Sequence, residues 1–387
     1  MMTADVVVVG LGAMGSATLY QLARRGARVI GIDRFAPPHD RGSSHGESRI
    51  TRLAIGEGEE YVPFALRSHE LWRELEAQTG ETLLVRSGGL LIGQASSDVR
   101  HHGRVDFVGR TMQAAKRFAI GHEVLDADEV GKRFPPFQLR GDEVCYYEPD
   151  AGFLRPERCI AAHLNRARQL GAIVRTGETV SRIESDRVTT DVETYSAAQL
   201  VVTAGAWMGA LLGEPFSRLL SVYPQTLYWF APDEAAWFVP ERFPIFIWIH
   251  GASENGYFYG LPIVADGVKL ATEQFSTTAN PDTPRAVVTS AEPARMHASH
   301  VRGRLAGVSA RCTRTMTCLY TVTPDSRFII DGHPQWARVL VASPCSGHGF
   351  KHSAAIGEAL AQRVLDGNSR LDLTSFSLAR FPGDSAR

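Results

Sequence analysis

Asp5-Val6-Val7-Val8-Val9-Gly10-Leu11-Gly12-Ala13-Met14-Gly15, a helical pattern through Leu22 to Arg25, and then Arg28-Val29-Ile30-Gly31-Ile32-Asp33 decide how this chain folds. The two apolar runs read as strands buried on both faces. Between them, Gly10 permits a tight turn. Gly12 lets a pyrophosphate approach the backbone, and Gly15 lets the helix sit close on the first strand. Ala13 and Met14 open that helix, whose N-terminus offers free N–H groups and a positive dipole end to phosphates. Asp33 lies 18 residues beyond Gly15. With Arg34 beside it, it is placed to accept hydrogen bonds from a ribose. Strand, glycine turn, helix, strand and acid in this order point to an adenine dinucleotide. The motif alone does not separate FAD from NAD.

The totals set outer limits. A chain of 387 residues has room for about two domains. Hydrophobic residues at 44% and charged residues at 21% allow a large core of ordinary globular kind. A formal net charge of −1 argues against nucleic-acid and anionic-membrane partners. Cys145, Cys159, Cys312, Cys318 and Cys345 are scattered without metal-finger spacing, so neither a disulfide framework nor a metal site is expected. The N-terminus enters a strand almost at once, so no signal peptide is expected. No apolar run approaches the about 20 residues that span a bilayer. The cytoplasm is the expected location.

Working outward, Pro37-Pro38 stops regular structure, and a Gly/Ser-rich polar segment runs from Gly42 to Arg52. Were its second half helical, His45, Arg49 and Arg52 would share one face; the alternative is a solvated basic turn. Pro63 opens a helix with Phe64, Leu71, Trp72 and Leu75 inward and Gly80 at its end. Val85 to Gly93 reads as one strand carrying a glycine pair, and Gly109 to Phe118 as a helix. The tracts 81–145 and 216–310 alternate in the manner of antiparallel strands, with aromatic runs such as Leu227-Tyr228-Trp229-Phe230 and Phe246-Ile247-Trp248-Ile249. Between and after them the α/β pattern returns. A helix opens at Arg155-Pro156-Glu157, strands follow at 171–175, 178–180 and 199–203, and a last strand at 339–342 leads through Cys345-Ser346-Gly347-His348-Gly349-Phe350-Lys351 into a helix closed by Gly367. The expected fold is therefore α/β. A Rossmann-type dinucleotide domain is built from 1–80, 146–215 and 311–387, and an α+β substrate domain with a large antiparallel sheet from 81–145 and 216–310.

Ser43-Ser44-His45-Gly46-Glu47-Ser48-Arg49-Ile50-Thr51-Arg52, Tyr61 to Ser68, Thr317-Cys318-Leu319-Tyr320-Thr321 and Ser346 to Lys351 resemble the monomeric sarcosine oxidase and N-methyltryptophan oxidase family, flavin-dependent amine oxidases of the glycine/D-amino-acid oxidase type. The similarity runs nearly end to end. It implies FAD rather than NAD, a monomer, and a small amine or amino-acid substrate held between the flavin and an antiparallel sheet, with O2 as acceptor. It implies that Cys318 is bonded through sulfur to the flavin, and that Lys269 promotes reaction with O2, where a fixed positive charge stabilises nascent superoxide. It places Arg52 and Lys351 on the substrate carboxylate, His45 and Arg49 as cations near the flavin ring, and Tyr259 and Tyr320 on the substrate. Further cofactor contacts are implied for Ser43, Ser44, Val180, Ala204, Gly205, Trp207, Gly347, His348 and Gly349.

The sequence departs from the family in two places. Glu273 stands where a histidine is usual, four residues after Lys269, which suits a substrate ammonium or a second polar group. Ile247 stands about where sarcosine oxidases carry a methionine. The activity expected is oxidation of a secondary or N-methyl amino acid to an imine, hydrolysed to amino acid and aldehyde, with O2 reduced to H2O2. The alternatives are an oxidase of a cyclic or primary amino acid (pipecolate- or proline-type, or a tailoring enzyme), a flavin dehydrogenase using another acceptor, and a catalytically silent FAD-binding module.

Overall fold

A computed structural model describes residues 1–94, 105–251 and 256–381; the parts of the expected antiparallel tracts at 95–104 and 252–255 lie outside them. The opening stretch folds as a strand Met2–Val9, a helix Ala13–Arg24 and a second strand Val29–Asp33. These strands pair in parallel with each other and, on either side, with Ile173–Thr176 and Thr194–Val202; Val339–Ser343 continues the parallel order. Antiparallel strands at 180–183 and 187–190, and the pair of Val339–Ser343 with Ile329–Gly332, both lie on the side of Thr194–Val202 away from Met2–Val9, and Ile173–Thr176 forms the opposite edge. The central strands are valine- and isoleucine-rich because layers cover both faces. One cover consists of the helices Ala13–Arg24, Pro156–Gln169 and Ser353–Asp366. Gly357 lets the last of these approach closely, since a Cβ there would stand 2.6 Å from Ala17.

The second sheet has eight strands. Across it the order is 308–322, 221–232, 268–271, 257–261, 245–249, 89–94, 143–148 and 123–125. All its pairs are antiparallel except the parallel pair Ile245–Ile249 with Gly89–Gln94. Its back carries Phe246, Trp248, Phe258 and Leu270, packed with Phe137 and Phe243 into a core of stacked and edge-on rings. Residues on the opposite face alternate with these, and that face turns toward the dinucleotide domain. The strands 143–148 and 308–322 belong to this sheet and run across the divisions expected at 145/146 and 310/311.

Two local readings are corrected. Val85 to Gly93 is not one strand: Leu84–Arg86 joins a three-stranded sheet with Gly152–Leu154 and Arg49–Thr51, while Gly89–Gln94 joins the large sheet. The chain breaks at Gly88, whose φ of +74° is left-handed backbone. The second half of the 42–52 segment is not helical. Arg49–Thr51 is a strand, because Gly152–Leu154, a hundred residues on, supplies its hydrogen bonds. The expected helices at 63–80 and 109–118 are present as Val62–Thr79 and Phe107–Arg117.

Candidate active site

A cavity of about 400 Å³ lies at the carboxyl ends of the first parallel strands, bordered by Gly10, Gly12, Ala13, Met14, Asp33, Arg34, Ser43, Ser44, Val180, Ala204, Gly205 and Trp207. The glycine turn is shaped for it. A Cβ on Gly12 would meet only Ser44 Oγ, at 3.9 Å, so the backbone there is open to the cavity. Gly12 caps the helix without a side-chain hydrogen bond, leaving the helix's first N–H groups to face the cavity. Gly15 does not border the cavity; it serves the packing, since a Cβ would stand 1.8 Å from the Gly10 carbonyl oxygen. The buried Asp33 carboxylate accepts from the N–H of Leu11 at 2.7 Å and of Phe35 at 2.8 Å, which fixes it at the cavity wall. These residues fit an adenine dinucleotide. Gly15→Ala should push the helix off its strand, and is expected to leave the purified protein with little or no bound flavin and a lower Tm than the parent.

Beyond Phe350, which borders both spaces, a smaller cavity opens on the front of the large sheet. Cross-strand register explains its walls. Gln225 opposes Cys318, Leu227 opposes both Met316 and Ala271, Trp229 opposes Lys269, and Tyr259 opposes both Ala271 and Ile247. Side chains two apart share a face, so Cys318, Tyr320, Lys269, Glu273, Tyr257, Tyr259 and Ile247 stand together. Cys318 is buried among Leu227, Ala271, Met316 and Cys345. Burial raises its thiol above the ordinary value, against the pull of Arg49, Lys269 and Arg285.

The opposite wall comes from the 42–58 segment and the 345–351 loop. Arg52, Glu57 and Lys351 are each no more than 5% exposed. Arg52 donates to Glu57 Oε2 at 2.6 Å, and Lys351 Nζ lies 3.7 Å from Glu57 Oε1. Buried charges persist only when paired, and here one carboxylate is clasped by two cations. Lys351 also donates to the His348 carbonyl at 2.8 Å, and burial lowers its ammonium to about 8. Two further carboxylates set the backbone. Glu148 accepts from the N–H of Leu53 and Ala54 at 2.6 and 3.1 Å, which holds the turn that aims Arg52. Glu157, in the first turn of its helix, accepts from the N–H of Gly46 and Glu47 at 2.6 and 3.1 Å.

That loop is what Lys269 grips. Its Nζ donates to Gly46 O at 2.8 Å, Ser48 O at 2.5 Å and Ser48 Oγ at 3.0 Å, three acceptors for the three N–H of an ammonium. Burial, and then Arg49, lower its pKa well below the ordinary lysine value. Arg49 is tied to the Ser48 and Ser43 carbonyls at 2.9 and 2.8 Å. Tyr320 is buried and Tyr259 half-buried, and desolvation raises both phenols, which keeps them neutral.

His45 is corrected. It is buried with Nδ1 3.0 Å from Met316 Sδ, and burial together with Arg49 and Arg285 pushes it down to about 3. At neutral pH it is an uncharged ring, and the positive charge at this spot belongs to Arg49. Gly347, His348 and Lys351 border the smaller cavity, whereas Gly349, His45 and Cys318 border neither. The His348 ring stacks on Phe328 behind the loop, centroids 4.7 Å apart.

Sequence reading did not find Glu57, Tyr257, Glu148, Glu157, Asp282 or Arg285 as site residues. Glu57, between two glycines and five residues after Arg52, carried the only usable signal. Asp282 and Arg285 lie on the segment roofing the larger cavity. Asp282 accepts from Trp207 Nε1 at 2.9 Å and pairs with Arg34; Arg285 donates to the carbonyls of Thr317, Arg41 and Gly42.

Residues 5–363 match the model of the FAD-dependent oxidoreductase family. The chain belongs to that family. It is 39% identical over 379 residues, 95% of each chain, to a monomeric sarcosine oxidase of Streptomyces avermitilis. It is 34% identical to an N-methyl-L-tryptophan oxidase of Yersinia pestis over 383 residues, 97% of this chain and 99% of that one. Among solved structures it superimposes on NikD, described as an unusual amino acid oxidase essential for nikkomycin biosynthesis. The TM-score is 0.82 at 25% identity, covering 97% of this chain and 98% of that one. The L-proline dehydrogenase of P. horikoshii shares the fold, with TM-score 0.81 at 19% identity over 98% of each chain. The chain is thus an FAD-dependent amine oxidase acting on CH–NH bonds. Among the described residues no cluster suited to a metal ion and no helix long and apolar enough to cross a membrane occurs.

Proposed function

We propose that this enzyme oxidises a secondary, N-methyl amino acid. The observation that carries this reading is Glu57, an internal carboxylate held between Arg52 and Lys351 in the cavity that also contains Lys269. A pair of cations that clasps one carboxylate in a nearly dry pocket is suited to clasp a substrate's carboxylate. Arg52 and Lys351 orient the acid, Tyr259 and Tyr320 wall the reacting carbon with neutral phenols, and Arg49 and Lys269 supply fixed positive charge. FAD, held by the residues that border the larger cavity, would supply the two-electron redox chemistry that oxidises the carbon next to nitrogen and reduces O2 to H2O2. Water then splits the released imine, so that N-methyl amino acid, O2 and water yield amino acid, formaldehyde and H2O2. Anaerobic titration with N-methyl amino acids of increasing size should bleach the flavin. No bleaching by any of them, with bleaching by a carboxylate-free amine, would overturn the reading.

The Cys318 thiol, on the strand beside the cavity, is the residue that would tether the cofactor. Acid-precipitated parent enzyme is expected to stay yellow, whereas Cys318→Ser should release its flavin to the supernatant. Parent enzyme that loses all its colour on precipitation would refute the tether. A monomer working in the cytoplasm completes the reading; five free thiols fit a reducing compartment.

A further inference from the structure

Trp229 lies between two cations. Cross-strand register sets it opposite Lys269 on one neighbouring strand and Arg314 on the other, so the three side chains share one face of the large sheet. The centroid of the buried ring is 5.7 Å from Lys269 Nζ and 4.6 Å from the Arg314 guanidinium carbon. The indole N–H donates to Glu47 Oε2 at 3.2 Å, and Arg314 pairs with Glu47 and, at 2.7 Å, with the exposed Asp266. Indole and guanidinium thus hold one carboxylate between them.

Glu47 is also the centre of the turn that Lys269 grips. Its φ is +70°, left-handed backbone, and the Ser48 N–H donates to the Gly46 carbonyl at 2.8 Å, so residues 46–48 make a γ-turn. That turn brings the Gly46 and Ser48 carbonyls onto one ammonium. A residue with a Cβ keeps such a backbone only where its surroundings hold it. Here the Glu157 carboxylate holds the N–H of Gly46 and Glu47, while Trp229 and Arg314 hold the Glu47 side chain. The charged and titratable groups facing Lys269 are Arg49, Glu157, Cys318 and Glu47; the two carboxylates favour its charged form, against burial and Arg49. Resting on the function proposed above, in which Lys269 lends its charge to the reduction of O2, we propose that Glu47 is a positioning residue for that lysine. Clamped by Trp229 and Arg314, it fixes the turn whose carbonyls bind the ammonium and sets a negative charge beside it.

The chain has only four lysines, Lys116, Lys132, Lys269 and Lys351. Holoenzyme labelled with carbon-13 at the lysine Cε can therefore be titrated by NMR, with Lys269→Met identifying the Lys269 signal. An ammonium is charged below its titration midpoint and neutral above it, and loss of a neighbouring negative charge moves the midpoint down. Glu47→Gln should lower the Lys269 midpoint by at least about half a pH unit. Trp229→Phe keeps a ring beside the lysine and drops the N–H that holds Glu47; it should lower the midpoint by less, and it keeps the proposal open to refutation should the glutamine variant fold poorly. In each variant, reoxidation of the dithionite-reduced enzyme by O2 should fall away at the same lower pH. A midpoint unmoved or raised in either variant would overturn the proposal. A Lys269→Met enzyme that reoxidises as fast as the parent would end the O2 role on which the proposal rests; a slowed Lys269→Met beside an unmoved midpoint in Glu47→Gln would overturn the proposal alone.

Discussion

Lys269→Met should slow reoxidation of the reduced enzyme by O2 about 10²–10³-fold, the usual loss when one preorganised charge-stabilising group is removed. Anaerobic reduction by substrate should change far less. The asymmetry follows from where the charge is needed. Transfer of the first electron to O2 creates an anion in a nearly water-free space, where the Lys269 ammonium is held by three oxygen acceptors and pays no reorganisation at the moment of transfer. Arg49 stays behind to support the reductive half-reaction, tied to its own carbonyls. Stopped-flow measurement of the two half-reactions separates them. Equal slowing of both would assign Lys269 to holding the 46–48 loop instead.

Arg52→Ala should raise KM for the N-methyl amino acid about 10–100-fold, the equivalent of losing a charge-assisted hydrogen bond of about 1.5–3 kcal/mol. A carboxylate-free secondary amine should be affected far less, and equal loss for both would remove the role. Stability should fall as well, because Glu57 loses its 2.6 Å ion pair with Arg52; breaking a buried pair costs about 3–5 kcal/mol. The remaining cation adds a pH signature. A lysine lowered to about 8 is charged below that pH and neutral above it. The ratio of kcat/KM for the amino acid to that for the carboxylate-free amine should therefore drop between pH 7 and pH 9. A flat ratio would show that Lys351 does not hold the carboxylate.

The parts legible in the sequence were those governed by neighbours along the chain. Gly10, Gly12, Gly15 and Asp33 are set by one turn and one helix. Long-range pairing was illegible. Nothing local says that Arg49–Thr51 takes its hydrogen bonds from Gly152–Leu154, so the sequence left a helix and a solvated turn open where a strand forms. Val85 to Gly93 reads as continuous because its apolar run hides the turn at Gly88. Glu148 and Glu157 look like surface acids until the fold brings 53–54 and 46–47 onto them. The charge on His45 was misread because titration depends on burial, which spacing does not carry.

The roof over the dinucleotide cavity carries a thermodynamic consequence. Asp282 and Arg285 belong to the connection between two strands of the large sheet, yet they fasten to Trp207, Arg34 and the Thr317 carbonyl next to Cys318. A ligand that binds only the folded form stabilises whatever must be ordered to enclose it. Loading the nucleotide half should thus protect amide hydrogens of the other half from exchange, and the two halves of the holoenzyme should melt together.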